Sequence, residues 1–171
     1  SRKKLVDPVS GSEFTALSSE TKGKHGKSSS FIVFDELAQF GADRELYDVM
    51  MTSRGAHADP LVWCISTQAA SDNAVLSELI DYGQKVIREE IEDPKFKTFL
   101  FSVPMDADPW DEDNWYLANP ALGDFRSLEE MRETAEKAKR MPAAEAAFRN
   151  LYLNQRVDGA AHFITPEVWL R

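Results

Sequence analysis

Asp35 and Glu36 stand side by side directly after the apolar run 31–34 in "SFIVFDELAQF". Burying unpaired charge is costly, so such a pair either faces solvent at a strand end or holds a cation. An apolar strand ending in Asp-Glu has one sharp use, in nucleoside-triphosphate hydrolysis. There the Asp holds magnesium, directly or through water, while the adjacent carboxylate polarises the attacking water. The plain alternative is a parallel strand whose acidic end is simply solvated, because four apolar residues and two acids make an unspecific motif. A second apolar run, "LVWCIST" at 61–67, favours the sharp reading, since Ser66, Thr67 and Gln68 follow one another at its end. Hydroxyl and amide groups there can sense a terminal phosphate and pass the change on to the next element.

These side chains meet only if the intervening chain brings the two runs together. The run "FIVF" lacks alternation and follows a Ser tract, as expected of a parallel strand covered on both faces. In "GADRELYDVMMTSRG", Leu46, Val49, Met50 and Ser53 keep helical spacing, with Asp43 as the expected N-cap. Strand, helix and strand within about 37 residues is the span of one βαβ unit. The two runs are therefore expected to be parallel neighbours, with Asp35, Glu36, Ser66, Thr67 and Gln68 on one edge.

A helix over 72–92, with Val75, Leu79, Tyr82 and Val86 as its stripe, and a third strand at "FKTFLFSV" complete an open α/β core. "EFTAL" at 13–17 suits a short strand, and 18–30 has loop composition. The composition changes at 104–123, "PMDADPWDEDNWYLANPALG", where five acids, two Trp and three Pro leave no regular period and predict a linker or ordered loop. Beyond it, Ser127 and Glu130 form a capping box, and Pro142 opens a second helix.

The phosphate-cradling loop G-x-x-x-x-G-K-[ST] is absent from the sequence. "GKHGKSSS" has the residue types without the spacing or a preceding strand. Lys24 and Lys27 thus read as solvated loop charges or as donors to a neighbour's nucleotide, and this chain alone is expected to bind nucleotide poorly. The acids of "DADPWDED" lack the central Gly and distal Glu of a calcium loop. His25, His57 and His162 share no ligand spacing that would suit zinc. In so acidic a surrounding, Trp110 and Trp115 read as packing anchors rather than base-stacking platforms.

At 171 residues, with 43% hydrophobic, 29% charged and 11% aromatic residues, the chain can bury one sizeable core. Its net charge of −9 argues against a general nucleic-acid-coating surface. Residues 1–30 nevertheless hold six basic against three acidic residues, so the remaining 141 hold −12. The lone Cys64 can form no intrachain disulfide and suits a reducing compartment. No segment reaches the roughly 18 apolar residues of a membrane span. The chain opens on "SRKK" without Met and stops at "EVWLR", which reads as a fragment of a longer protein.

Nearly the whole chain, in order, resembles the large subunit of tailed-phage terminase, the motor that packages DNA into capsids. "FTALSSETKGKHGKSSSFIVFDELAQF" resembles the family's Walker B region, and "ELYDVMMTSRGAHADPLVWCISTQA" the segment reaching its coupling motif. More specific are "DPWDEDNWYLANPALG" and "KRMPAAEAAFRNLYLNQRVDGAAHFI", with acid-Pro-Trp, Ala-Asn-Pro, Met-Pro, and Phe with Asn at family spacing. The resemblance implies that Asp35 binds magnesium, that Glu36 is the catalytic base, and that Ser66, Thr67 and Gln68 couple hydrolysis to DNA movement. "STQ" departs from the family's frequent Thr-Thr-Ala, which puts sensing on Thr67 ahead of Gln68. Lys24 and Arg54 are the candidates for a basic residue supplied in trans.

The expected architecture is therefore an α/β partial P-loop NTPase core with a parallel sheet and helical crossovers, followed by a mostly helical linker region. Residues 1–104 would be the C-terminal half of the ATPase domain and 105–171 the linker. By the same resemblance the phosphate loop lies upstream of Ser1 and the nuclease domain beyond Arg171, so the fragment alone would be inactive. ATP and magnesium are the implied cofactors. Double-stranded DNA, a portal protein, a small terminase subunit and further copies in a ring are the implied partners, with no membrane, in the host bacterial cytoplasm. A helicase-like translocating ATPase would share the two strands but not the acidic Trp loop and Ala-Asn-Pro. A non-enzymatic α/β binding module, such as an acceptor domain using Asp35, would need a second acidic cluster near the start of the sheet, where only Glu13 is found.

Overall fold

A computed structural model describes residues 4–17 and 28–157 of the chain. They fall into two units, one drawn from Ser1–Ile32 and Arg44–Leu61 and the other from Val33–Asp43 and Val62–Arg171. The strand expected at 13–17 is β2 (Glu13–Thr15), and it pairs antiparallel with β1 (Lys4–Val6), opposing Leu5 to Phe14. The connection turns because the Asp7 carboxylate accepts from the Val9 and Ser10 amides, and Gly11 takes a positive φ of 71°. Most of the loop stretch 18–30 lies outside the described residues.

The two apolar runs are β3 (Phe31–Asp35) and β4 (Leu61–Ile65), neighbours in a two-stranded sheet. The Leu61 amide donates to the Ser30 carbonyl at 2.9 Å and the Glu36 amide to the Ile65 carbonyl at 2.8 Å. Start meets start and end meets end, so the pair is parallel as the crossover requires. Between them lies α1 (Glu45–Thr52), which buries Leu46, Tyr47 and Met50 and leaves Val49 half-buried. Arg44, not Asp43, occupies the capping position, and it makes no side-chain cap bond.

Two expectations fail in the sheet. β3 is not covered on both faces: Ile32 and Phe34 are buried, whereas Phe31 and Val33 are 50% and 41% exposed. Lack of alternation in the residue types shows that both faces are apolar, and only one of them meets a partner among the described residues. The third strand is also absent, because segment 96–103 forms no ladder. Its main chain is instead bonded by residues far along the sequence: the Val103 amide donates to the Leu153 carbonyl, and Asn154 and Gln155 side chains donate to the Phe101 and Val103 carbonyls.

The next helix, α2 (Val75–Ile87), is shorter than the expected 72–92. It buries Val75, Leu76, Ile80 and Gly83, while the expected stripe members Leu79, Tyr82 and Val86 lie half-buried on its flank. Helicity returns inside the acidic Trp segment as α3 (Glu112–Ala118), which spacing alone did not reveal. Asp111 caps it by accepting from the Asp113 amide at 3.1 Å. Helices α4 (Leu128–Arg140) and α5 (Pro142–Leu151) follow as read: Ser127 accepts from the Glu130 amide at 3.2 Å, and Pro142 opens α5.

The core of this part is one cluster of Val103, Trp115, Leu122, Met131, Ala135, Ala138, Phe148 and Leu153. Both tryptophans anchor it, as their acidic surroundings suggested. Trp110 stacks on Phe148 at 5.6 Å between ring centroids, and buried Trp115 donates from Nε1 to the Pro109 carbonyl at 2.8 Å. Asn119 is buried among them with both amide hydrogens used, on the Trp115 and Tyr152 carbonyls.

Candidate active site at the strand edge

β3 ends at Asp35, and the chain leaves it through one left-handed residue, Glu36, at φ 55° and ψ 45°. A non-glycine residue there is uncommon and is held by its surroundings. The Glu36 amide is tied to β4, its carbonyl accepts from the Gln39 amide at 2.9 Å, and the following single turn Leu37–Phe40 starts on fully buried Leu37. The backbone is thus pinned on both sides of the carboxylate pair. The Asp35 and Glu36 side chains themselves are exposed, and among the described residues neither has an ion-pair partner.

The end of β4 sits beside them. The Ser66 hydroxyl accepts from the Ala38 amide at 2.9 Å and donates to the Thr67 carbonyl at 2.8 Å, so it bridges the two strand exits and its one hydrogen is committed. Thr67 is exposed, whereas Gln68 is buried. Three polar residues that look equivalent in sequence thus take three positions: a bridge, an exposed hydroxyl and a buried anchor. The Gln68 main chain is held by side chains, its amide donating to Asn154 Oδ1 at 2.6 Å and its carbonyl accepting from Asn150 Nδ2 at 3.0 Å. Its own carboxamide oxygen is buried without a donor among the described residues.

Arg54 belongs to the other unit, where its Nε donates to the Met51 carbonyl at 3.0 Å and closes the end of its own helix. Lys24 lies outside the described residues. No group of three or more His, Cys, Asp and Glu side chains gathers among the described residues. Two exposed carboxylates nonetheless suit magnesium, a hard cation that takes one or two protein carboxylates and completes its shell with phosphate and water.

Sequence reading missed the residues that brace the edge from behind: Asn150, Asn154, Gln155 and Arg156. Asn150 closes an amphipathic helix, and the other three follow it and look like an ordinary polar exit. Their partners lie 51 to 86 residues away in sequence, beyond any spacing rule. The guanidinium of Arg156 grips Asp81 with two bonds, at 2.7 and 3.1 Å, and also reaches Asp72 and the Ser77 carbonyl. The concentration of two amides and an arginine within three residues, "NQR", was the available signal.

Comparison with known proteins places the whole chain among related sequences. The family model for the terminase large subunit, ATPase domain, matches residues 1–85. The large terminase subunit of Enterobacteria phage HK97 is 44% identical over 170 residues, covering 99% of this chain and 33% of that protein. The crystal structure of the HK97 bacteriophage large terminase matches with a TM-score of 0.80 at 41% identity, over 99% of this chain and 35% of that one. The chain spans about a third of the length of the proteins it matches. With the family model matched over residues 1–85 and a relative 44% identical over 99% of this chain's length, the chain belongs to the terminase large subunit family.

Proposed function

We propose that the edge formed by β3 and β4 is the magnesium and water half of an ATPase site, and that the full-length protein uses ATP hydrolysis to package DNA. The observation that carries this is the pair of exposed carboxylates, without an ion-pair partner among the described residues, on a pinned left-handed turn, next to the exposed Thr67 hydroxyl. Asp35 holds magnesium, which neutralises charge on the phosphates when bound. Glu36 accepts the proton of the attacking water and orients it. Thr67 is the sensor of the terminal phosphate, while Ser66 keeps the two strand exits in register.

Residues 1–104 form the later part of the ATPase domain in this reading, and 105–171 the linker to a nuclease domain that cuts the DNA. The phosphate-binding loop comes from the preceding part of the full-length protein, and Lys24 or Arg54 acts on the nucleotide of a neighbouring copy in a ring. Double-stranded DNA is the cargo, with a portal protein and a small terminase subunit as partners, in the host cytoplasm. Among the described residues no helix is long and apolar enough to cross a membrane.

The test is steady-state ATP hydrolysis by the full-length protein with and without DNA. Glu36→Gln is expected to abolish DNA-stimulated hydrolysis while ATP binding persists, and Asp35→Asn to raise the magnesium requirement. Undiminished turnover by Glu36→Gln would show that the base lies elsewhere.

A further inference from the structure

The peptide of Gln68 is the first of the β4 exit to be buried, and both of its polar groups are satisfied by asparagine side chains. Asn154 is the centre of this arrangement. Its Oδ1 accepts from the Gln68 amide at 2.6 Å, its Nδ2 donates to the Phe101 carbonyl at 2.8 Å, and its own carbonyl accepts from Ser102 Oγ at 2.8 Å. It adopts a left-handed conformation, φ 52°, open to Asn, Asp and Gly but disfavoured for most side chains. Asn150, in the last turn of α5, divides its Nδ2 between the Gln68 and Gln155 carbonyls, both at 3.0 Å. Gln155 in turn donates to the Val103 and Pro104 carbonyls, and Arg156 is fastened to α2 through Asp81.

The bonds make a continuous path. Glu36 is two residues from Ala38, whose amide bonds to Ser66, and Ser66 is two residues from Gln68, which is held by Asn150 and Asn154. We propose that Asn154 and Asn150 are positioning residues for the ATPase site: they fix the peptide of Gln68 and thereby set the height of the Thr67 hydroxyl against the Asp35–Glu36 edge. This rests on the reading of that edge as the ATPase site. Neither asparagine touches the edge carboxylates, so each acts on kcat through geometry and not on nucleotide affinity. The same clasp ties the strand exit to segment 101–104 and to the end of α5, and so makes those segments follow its position.

The test compares full-length Asn154→Gly, Asn154→Asp, Asn150→Ala and Ser102→Ala with the parent protein and Glu36→Gln. Gly keeps the left-handed backbone and removes both side-chain bonds, Asp keeps the acceptor for the Gln68 amide, and Ser102→Ala removes a bond of the same cluster that does not reach Gln68. Asn154→Gly is expected to lower kcat for ATP hydrolysis by about ten- to a hundredfold, as misplaced catalytic groups do, with KM for ATP within about twofold. Asn154→Asp recovers most of this loss, and Ser102→Ala leaves kcat within about twofold of the parent. If Asn154→Gly does not fold, Asn150→Ala, at a helix position that tolerates Ala, decides alone by the same fall in kcat at constant KM. Equal losses in Asn154→Gly and Asn154→Asp, a change confined to KM, or unchanged kcat in folded Asn150→Ala overturns the proposal. Undiminished hydrolysis in Glu36→Gln overturns the edge reading and the proposal together. Loss in Glu36→Gln with parental kcat in the asparagine variants overturns the proposal alone.

Discussion

Gly83 lies mid-helix in α2, where glycine costs about 1 kcal/mol relative to alanine, so Gly83→Ala would stabilise an isolated helix. The structure predicts the opposite sign. A Cβ built there meets Thr98 Oγ1 at 2.1 Å, Thr98 Cβ at 2.9 Å and Thr98 Cγ2 at 3.1 Å. Rotating the threonine relieves the first contact but not the second, because its Cβ moves only with the backbone. Overpacking of this kind costs about 1–3 kcal/mol, and a contact this short belongs at the upper end. After subtracting about 1 kcal/mol for helix propensity, the net destabilisation is about 1–2 kcal/mol. Hydrogen exchange of the α2 amides in the full-length protein reads this locally and avoids a multi-domain melt, and an opening easier by that amount exchanges about 5–30 times faster. Gly55 supplies the control: a Cβ there meets nothing within 4 Å and its φ is not positive, so Gly55→Ala leaves exchange unchanged or slower. Exchange in Gly83→Ala equal to or slower than the parent would refute the close helix-to-segment packing.

Two further outcomes follow from buried or bonded polar groups. Asn119→Leu keeps the volume but leaves the Tyr152 carbonyl without its 2.7 Å donor, so it is expected to destabilise the α3–α5 core by about 1–3 kcal/mol, read as faster amide exchange in α3. Tyr82 donates to Asp93 Oδ2 at 2.8 Å, and that bond, with lesser help from desolvation and the carboxylate charge, raises the phenol above its ordinary value. A raised folded pKa contributes stability that is full below the unfolded tyrosine value and is lost as pH rises through the folded one. In an alkaline titration followed by tyrosinate absorbance, Asp93→Ala should move one phenol to lower pH; an unchanged profile would show that the bond does not form.

Legibility in the sequence tracked the range of the interaction involved. The βαβ unit around β3 and β4 and the Ser127 and Pro142 helix starts were readable, because each depends on residues within a few positions or on one crossover. The third strand was not, because "FKTFLFSV" has strand-like apolar content while its carbonyls are claimed by Asn154 and Gln155. Helix α3 was hidden by Pro109 and Pro120, which flank it and erase the period in a window of useful length. Burial on α2 shifted by one face because Gly83, invisible to a hydrophobic pattern, is the point of closest packing.

The candidate site divides in the same way, and the division bears on what the edge can do. The place of Asp35 and Glu36 at the exposed end of β3 was legible because charge abutting an apolar run is a local signal. The separate places of Ser66, Thr67 and Gln68 were not, since what distinguishes them is a bond to Ala38 in one case and two bonds to α5 and its exit in another. The side of the sheet that needs a partner can also be read from the structure. Val33 on β3 and Trp63 and Ile65 on β4 are 41%, 55% and 53% exposed, on a parallel strand pair of a type normally covered on both faces. Exposed carboxylates at the strand ends and an exposed apolar sheet face are thus incomplete in the same sense. Each is made of residues whose types call for further atoms, which on the ATPase reading are phosphate and metal for the first and are apolar packing for the second. The proteins that match this chain are about three times its length.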